Sequence, residues 1–213
     1  CKHVERPPLQ AYKAAKWLLR YLRGTTNLGL VYRRNNSLSL EQPLDVYMNV
    51  PSRRLIQRYP RLQAFSDSSF ATDRDSKSTT GYLILLCGNA ICWRTHKQTL
   101  VANSSTEAEY IAAFECTKDI DSTRLLLNEI GFTQASPTSL FTDNSACSYL
   151  IKDWKHHHRL RHLDVKYHYV RQAFDDQQIA IFLIPRERQI ADALTKYISP
   201  QEIKKFRPRF MAA

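Results

Sequence analysis

The 213-residue sequence predicts an α/β domain, and three observations carry that prediction. Strand-like runs come first as a group of three, the last two joined by Gly88-Asn89, a tight hairpin signal that makes them antiparallel. The later strand-like runs alternate with helical runs, as strands do when they return to a sheet through helices. Acids stand at the ends of strands or the start of a helix, where open α/β sheets place their ligands.

The elements follow in order. Residues 9–23, LQAYKAAKWLLRYLR, read as a helix: Tyr12, Ala15, Leu19 and Leu22 recur at helical spacing and Gly24 stops the run. Lys13, Lys16, Arg20 and Arg23 form a basic stripe beside the apolar one, read first as a solvated face and second as a phosphate-tracking one. From 27 to 60 the pattern is poor. A short strand candidate, GLVYRR, precedes polar material with Pro43, Pro51, Pro60 and a basic cluster at Arg53, Arg54 and Arg58, which reads as a linker or insertion. From residue 61 the texture changes. RLQAFSDSS is a strand reaching Asp67, and TTGYLILLCG and NAICWRTH are the hairpin. A long helix runs from about 105 to 129 and is closed by Gly131. PTSLFTD is a strand ending in Asp143, and NSACSYLIK opens a short helix behind it. Residues 152–171 are basic and His-rich and turn helical near their end. QIAIFLIP is the last strand and RQIADALTKYI the last helix.

Composition limits the partners. Thirty-one Lys and Arg against 20 acids give a net charge of +11, a field that attracts phosphate polymers or anionic membranes, or else simply a soluble basic surface. At 43% hydrophobic and 24% charged residues the chain has the make-up of a soluble globular protein, and no apolar run approaches the ~20 residues of a bilayer span. The five cysteines, Cys1, Cys87, Cys92, Cys116 and Cys147, are odd in number and contain no C-x-x-C pair, which predicts reduced thiols in an intracellular protein. The chain begins at Cys1 with no Met and no signal-peptide pattern, so it is expected to be a piece of something longer.

Four acids form the candidate site: Asp67 and Asp143 at strand ends, Glu109 in the first turns of the long helix, and Asp192 in the last helix. Each has a plain structural reading by itself, as a turn residue, a helix cap or a solvated helix acid. Together at one sheet edge they would repel by about 4 kcal/mol per pair at 4 Å and an effective dielectric of 20. Such a cluster needs cations or raised pKa values, and Mg²⁺ or Mn²⁺ supplies the first. The block SSTEAEYIAA carries two acids. Glu109 shares a face with Ala112 and Ala113, residues small enough for close approach to a sheet, whereas Glu107 points about 200° away and suits the helix terminus.

The runs FSDSSFATDRDSKSTTGYLILLCGNAICWRTHKQTLVANSSTEAEYIAA, LFTDNSACSYL, RHLDVKYHYVR and QIADALTK, in that order, resemble the ribonuclease H domain of copia-type retrotransposon Pol polyproteins. AYKAAKWLLRYLRGTTNLGLVY is similar to the segment joining reverse transcriptase to ribonuclease H in the same polyproteins. The resemblance implies a ribonuclease H-like fold, a mixed five-stranded sheet of three antiparallel and then parallel strands flanked by helices. It divides the chain into 1–60 (reverse transcriptase-connection remnant and linker), 61–198 (ribonuclease H-like domain) and 199–213 (basic tail). It implies two-metal hydrolysis of the RNA strand of RNA–DNA hybrids, with Asp67, Glu109, Asp143 and Asp192 both catalytic and holding two Mg²⁺, or Mn²⁺. The partners it implies are the hybrid and the reverse transcriptase portion of the polyprotein, in a cytoplasmic virus-like particle or the nucleus. Ser68, Ser105 and Asn144 are candidates for reading the 2′-OH, and Lys155, Arg159 and Arg161 for gripping phosphates. A zinc site at His156, His157, His158 and His162 is a further reading of the His-rich stretch. The chain departs from cellular ribonucleases H in lacking a histidine in the loop Pro185-Arg186-Glu187-Arg188. Two rival readings are a catalytically inactive nucleic-acid-binding relic and a structural module supporting a reverse transcriptase.

Overall fold

A computed structural model describes residues 8–32, 62–71, 75–153, 164–196 and 198–212. Its centre is a five-stranded sheet. Three strands, β2 (Leu62–Ser69), β3 (Thr79–Leu86) and β4 (Asn89–Lys97), form an antiparallel meander. Two more, β5 (Thr138–Thr142) and β6 (Ile179–Leu183), join β2 in parallel, giving the order β4-β3-β2-β5-β6. This is the mixed ribonuclease H-like sheet that the sequence implies. The antiparallel strands need only a tight turn, while the parallel ones need helical crossovers.

Alternation along the strands sorts side chains onto two faces. Leu62, Ala64, Tyr82, Ile84, Leu140 and Ile181 face α2 (Ser105–Glu129), α3 (Ser145–Lys152) and α4 (Asp164–Asp175). Phe65, Leu83, Leu85 and Phe141 face the other way. They are covered by Ile184, Ile190 and Ala191, by Leu194 of the one-turn helix α5 (Asp192–Thr195), and by Phe206 and Phe210 of α6 (Pro200–Phe210). On α2 the small residues Ala108, Ala112 and Ala113 are fully buried, so the helix lies close against its sheet face.

Several elements differ from their expected form. The hairpin turn is Cys87-Gly88 rather than Gly88-Asn89: both residues have positive φ, 50° and 76°, and Asn89 already starts β4. The Asn89 side chain instead donates to the Leu86 and Cys87 carbonyls, closing the turn from its far side. The expected final helix is interrupted. Gln189 is extended and fully buried, its amide donating to the Ser66 carbonyl at 2.9 Å and accepting from the Ala191 N–H. That tie to β2 leaves a 3₁₀ turn at Arg186–Arg188 and a separate α5. A new helix, α6, then starts at Pro200 behind a capping box of Ser199 and Glu202. Residues expected as a tail thus supply two phenylalanines to the core.

The N-terminal helix α1 (Leu9–Gly24) forms as the spacing requires, but none of its residues is buried. Its apolar stripe and its basic stripe are both exposed, with Lys16 over the Tyr12 ring and Arg20 over the Trp17 ring. Of the described part of GLVYRR, residues 29–32, β1 (Gly29–Leu30) is a strand, pairing antiparallel with β7 (Met211–Ala212). The linker cluster Arg53, Arg54 and Arg58 and the stretch holding Lys155, His156, His157, His158, Arg159, Arg161 and His162 lie outside the described residues. No helix among the described residues is long and apolar enough to cross a membrane.

Candidate active site

Strand register alone places two of the four acids side by side. Phe65 of β2 and Phe141 of β5 are parallel neighbours, with rings stacked at a centroid distance of 4.7 Å. Two residues farther on stand Asp67, within β2, and Asp143, the first residue past the end of β5. Glu109 arrives from α2 across the sheet end, and its Oε1 accepts the Ser68 backbone N–H at 3.2 Å. Asp67, Glu109 and Asp143 each offer a carboxylate oxygen, all within 4.8 Å of one another. The N-terminus of α2 is fixed by Gln98, whose side chain donates to Ala108 O at 2.9 Å and to Thr80 Oγ1 at 3.0 Å.

Asp192 is not one of those three, and it connects to them through its own helix. Directly across from Asp67 in the β2–β3 register is Gly81. A Cβ there would lie 2.6 Å from Thr195 Cγ2 and 2.8 Å from Leu194 Cβ, so α5 can sit on β3 only because Gly81 has none. From that seat the Thr195 hydroxyl donates to Asp67 Oδ2. Lys196 Nζ lies 2.7 Å from Asp192 Oδ1 and 3.5 Å from Asp67 Oδ2. Asp192, Thr195 and Lys196 are spaced i, i+3, i+4 and so share one side of the turn.

The electrostatics follow from burial and crowding. Burial, then the charges of Asp67 and Asp143, push Glu109 up from its ordinary 4.5 to about 9, against the hydroxyl and the backbone N–H of Ser68, which favour the anion. Burial also raises Asp67 from 3.8 to about 7, opposed by the Thr195 hydroxyl and the Lys196 charge and assisted by the Asp192 charge. Two ionised carboxylates no more than 4.8 Å apart repel by about 3.5 kcal/mol or more at an effective dielectric of 20. Glu109 Oε2 is fully buried and has no hydrogen-bond partner. An all-oxygen set with a buried, unpartnered carboxylate oxygen fits a hard divalent cation, which would satisfy that atom and remove the repulsion.

The other expected site residues divide. Ser68 lies at the site, but its hydroxyl is buried without a partner and its backbone N–H makes the contact to Glu109. Ser105 is exposed at the first residue of α2. Asn144 caps α3, its Oδ1 accepting the Cys147 N–H at 2.9 Å. Lys155, Arg159 and Arg161 lie outside the described residues. Glu107 is buried at the helix terminus, away from the carboxylate group. Its N–H bonds the Ser104 hydroxyl, and its Oε2 accepts from the Asn103 N–H at 2.9 Å. Sequence reasoning missed Gly81, Thr195 and Lys196. The signal for the last two was present in D-x-x-T-K, where the spacing puts both on the side of Asp192; Gly81 is marked only by the register it occupies.

No protein-family model matches the chain. It is 34% identical over 92% of its length to the retrovirus-related Pol polyprotein from transposon TNT 1-94 of Nicotiana tabacum. It is 30% identical over 95% of its length to the corresponding polyprotein from transposon RE1 of Arabidopsis thaliana. The chain spans only 13% and 12% of the length of these relatives. Among solved structures, a ribonuclease H1 isolated from compost, in complex with an RNA/DNA hybrid, is 14% identical with a TM-score of 0.49, covering 63% of this chain and 94% of its own. The N-terminal ribonuclease H domain of a Mycobacterium tuberculosis protein is 17% identical with a TM-score of 0.47, covering 64% and 91%.

Proposed function

The chain is a homologue of the copia-type, retrovirus-related Pol polyproteins of plant transposons, and on that premise we propose that it hydrolyses the RNA strand of RNA–DNA hybrids. The work belongs to reverse transcription, beside the reverse transcriptase portion of such a polyprotein. The observation that carries the reading is the convergence of Asp67, Glu109 and Asp143 at the end of β2 and β5, with one buried Glu109 oxygen unpartnered.

In this reading Asp67, Glu109 and Asp143 would hold one divalent cation, and Asp67 and Asp192 would hold a second. Bound Mg²⁺ or Mn²⁺ supplies positive charge against the attacking and leaving oxygens of a phosphodiester and lowers the pKa of water. The chain's own residues do the rest. The Ser68 N–H orients Glu109, and the Phe65–Phe141 stack fixes the spacing of the two strand-end aspartates. Gly81 lets α5 bring Asp192 to Asp67. Ser105 and Asn144 are the residues proposed to meet the hybrid, where the 2′-OH distinguishes RNA from DNA. The +11 net charge supports phosphate binding in general.

The test is cleavage of a labelled hybrid with and without Mg²⁺. Wild-type protein and Glu107→Gln are expected to cleave, Glu109→Gln and Asp143→Asn to lose about 10²-fold or more while still binding hybrid. Binding without Mg²⁺-dependent cleavage by the wild type would overturn the reading in favour of an inactive nucleic-acid-binding domain.

A further inference from the structure

Lys196 is the one side chain that touches both Asp67 and Asp192 with a positive charge among the described contacts. It is seated by geometry on three counts. As the C-cap of α5, four residues after Asp192, it lies beside that acid, its backbone N–H bonds the Asp192 carbonyl at 3.2 Å, and Gly81 lets the whole turn lie over Asp67. The ammonium thus sits in ion-pair contact with both acids, 2.7 Å from Asp192 Oδ1 and 3.5 Å from Asp67 Oδ2. Arg186 also approaches Asp192, but at 3.8 Å from a largely exposed side chain, where water screens it.

Resting on the metal-centre reading above, we propose that Lys196 is a resident counter-ion that a divalent cation must displace to bind between Asp67 and Asp192. A cation on carboxylate oxygens needs contacts of about 2.0–2.6 Å, and Asp192 Oδ1 already has the ammonium nitrogen 2.7 Å away. Both cannot occupy that position. The two cation positions of the site are therefore unequal. The Asp67–Glu109–Asp143 position holds an oxygen with no partner at all and fills first. The Asp67–Asp192 position fills only as Lys196 swings out on its flexible stem, which its half-buried setting permits. When no second cation is present, Lys196 and the Thr195 hydroxyl keep Asp67 and Asp192 drawn together.

The experiment is Mn²⁺ binding by the metal-free full chain, with free Mn²⁺ counted by electron paramagnetic resonance. Wild type is expected to bind one ion tightly and a second weakly. Lys196→Met should tighten the weak site by at least about tenfold, since it removes a full charge at contact distance from Asp192, and should tighten the other site, which shares only the more distant contact to Asp67, by clearly less. Lys196→Arg should keep the wild-type pattern, and Lys196→Gln should follow Lys196→Met, which guards against a folding defect in either neutral variant. A weak site that stays the same or is lost in both neutral variants overturns the proposal, as does a structural ion pair whose removal shifts only the melting temperature. A wild-type chain that binds no Mn²⁺ overturns this proposal and the metal centre together. Failure of hybrid cleavage with the binding pattern intact overturns the function and leaves the counter-ion standing.

Discussion

Glu107 and Glu109 stand two residues apart on α2, and their partners separate their roles. Glu107 closes the helix terminus, with the Asn103 N–H on its carboxylate and the Ser104 hydroxyl on its own N–H. Replacing it by Ala leaves the Ser104 cap in place but takes the acceptor from the Asn103 backbone N–H and side-chain amide, and should cost about 1–2 kcal/mol in denaturant melts while leaving cleavage near wild type. Glu109 faces the acids, so its protonation bears on stability. Folding raises its pKa from 4.5 to about 9 and that of Asp67 from 3.8 to about 7. Between these values the folded state binds more protons than the unfolded chain, so stability falls as pH rises. The metal-free site thus favours folding most below pH 3.8, and its contribution is lost as pH climbs through about 7 and then about 9. In EDTA, Glu109→Gln is expected to gain melting temperature relative to wild type as pH increases. Each kcal/mol regained should shift it by about 2–4 °C, and Mg²⁺ should reverse the order of the two proteins by stabilising the wild type alone.

Among the described α-helices, α5 is the shortest and the most dependent on its surroundings. A helix of four residues has no stability of its own. It is held by Leu194 on the Phe65–Phe141 face, by Thr195 and Lys196 on Asp67, and by the absence of a side chain at Gly81. Gly81→Ala adds one methyl where backbone and side-chain carbons already fill the space. It should cost about 1–3 kcal/mol and, by moving α5 off the sheet, weaken cleavage by more than its effect on stability accounts for; a melt and a hybrid assay on the same preparation separate the two. The neighbouring Gln189 shows why the final helix could not be read as one piece. Its sequence neighbours have helical spacing, but its amide is worth more bonded to the Ser66 carbonyl in the core than left in solvent.

For the whole molecule, the two ends of the chain matter in opposite ways. α6 puts Phe206 and Phe210 against the core face that carries Phe65 and Phe141, and β7 pairs with β1. Truncation after residue 198 uncovers that face and should lower stability by about 2–4 kcal/mol, with α5 and the site losing their support from behind. α1 contributes no buried residue, so its apolar stripe adds nothing to the described core, although its pattern is the clearest amphipathic signal in the sequence. Periodicity reports that a helix has an apolar side, and packing alone reports whether anything covers it.

The sequence by itself determined the element order, the antiparallel-then-parallel sheet and the positions of Asp67, Glu109 and Asp143 at one sheet end. Those depend on local periodicity, on turn chemistry and on the fixed alternation of side chains along strands, all of which can be counted along the chain. It also separated Glu109 from Glu107, because residues two apart on a helix point to different sides. Tertiary structure alone decided the remainder. The split of the last helix at Gln189, the cover that α6 gives the core, and the seating of Asp192 through Gly81, Thr195 and Lys196 each hang on contacts between residues far apart in the chain. Glu109 reaches its Ser68 donor across 41 positions and Thr195 reaches Asp67 across 128. No local pattern encodes a separation of that length; it exists only once the sheet has closed the loop between them.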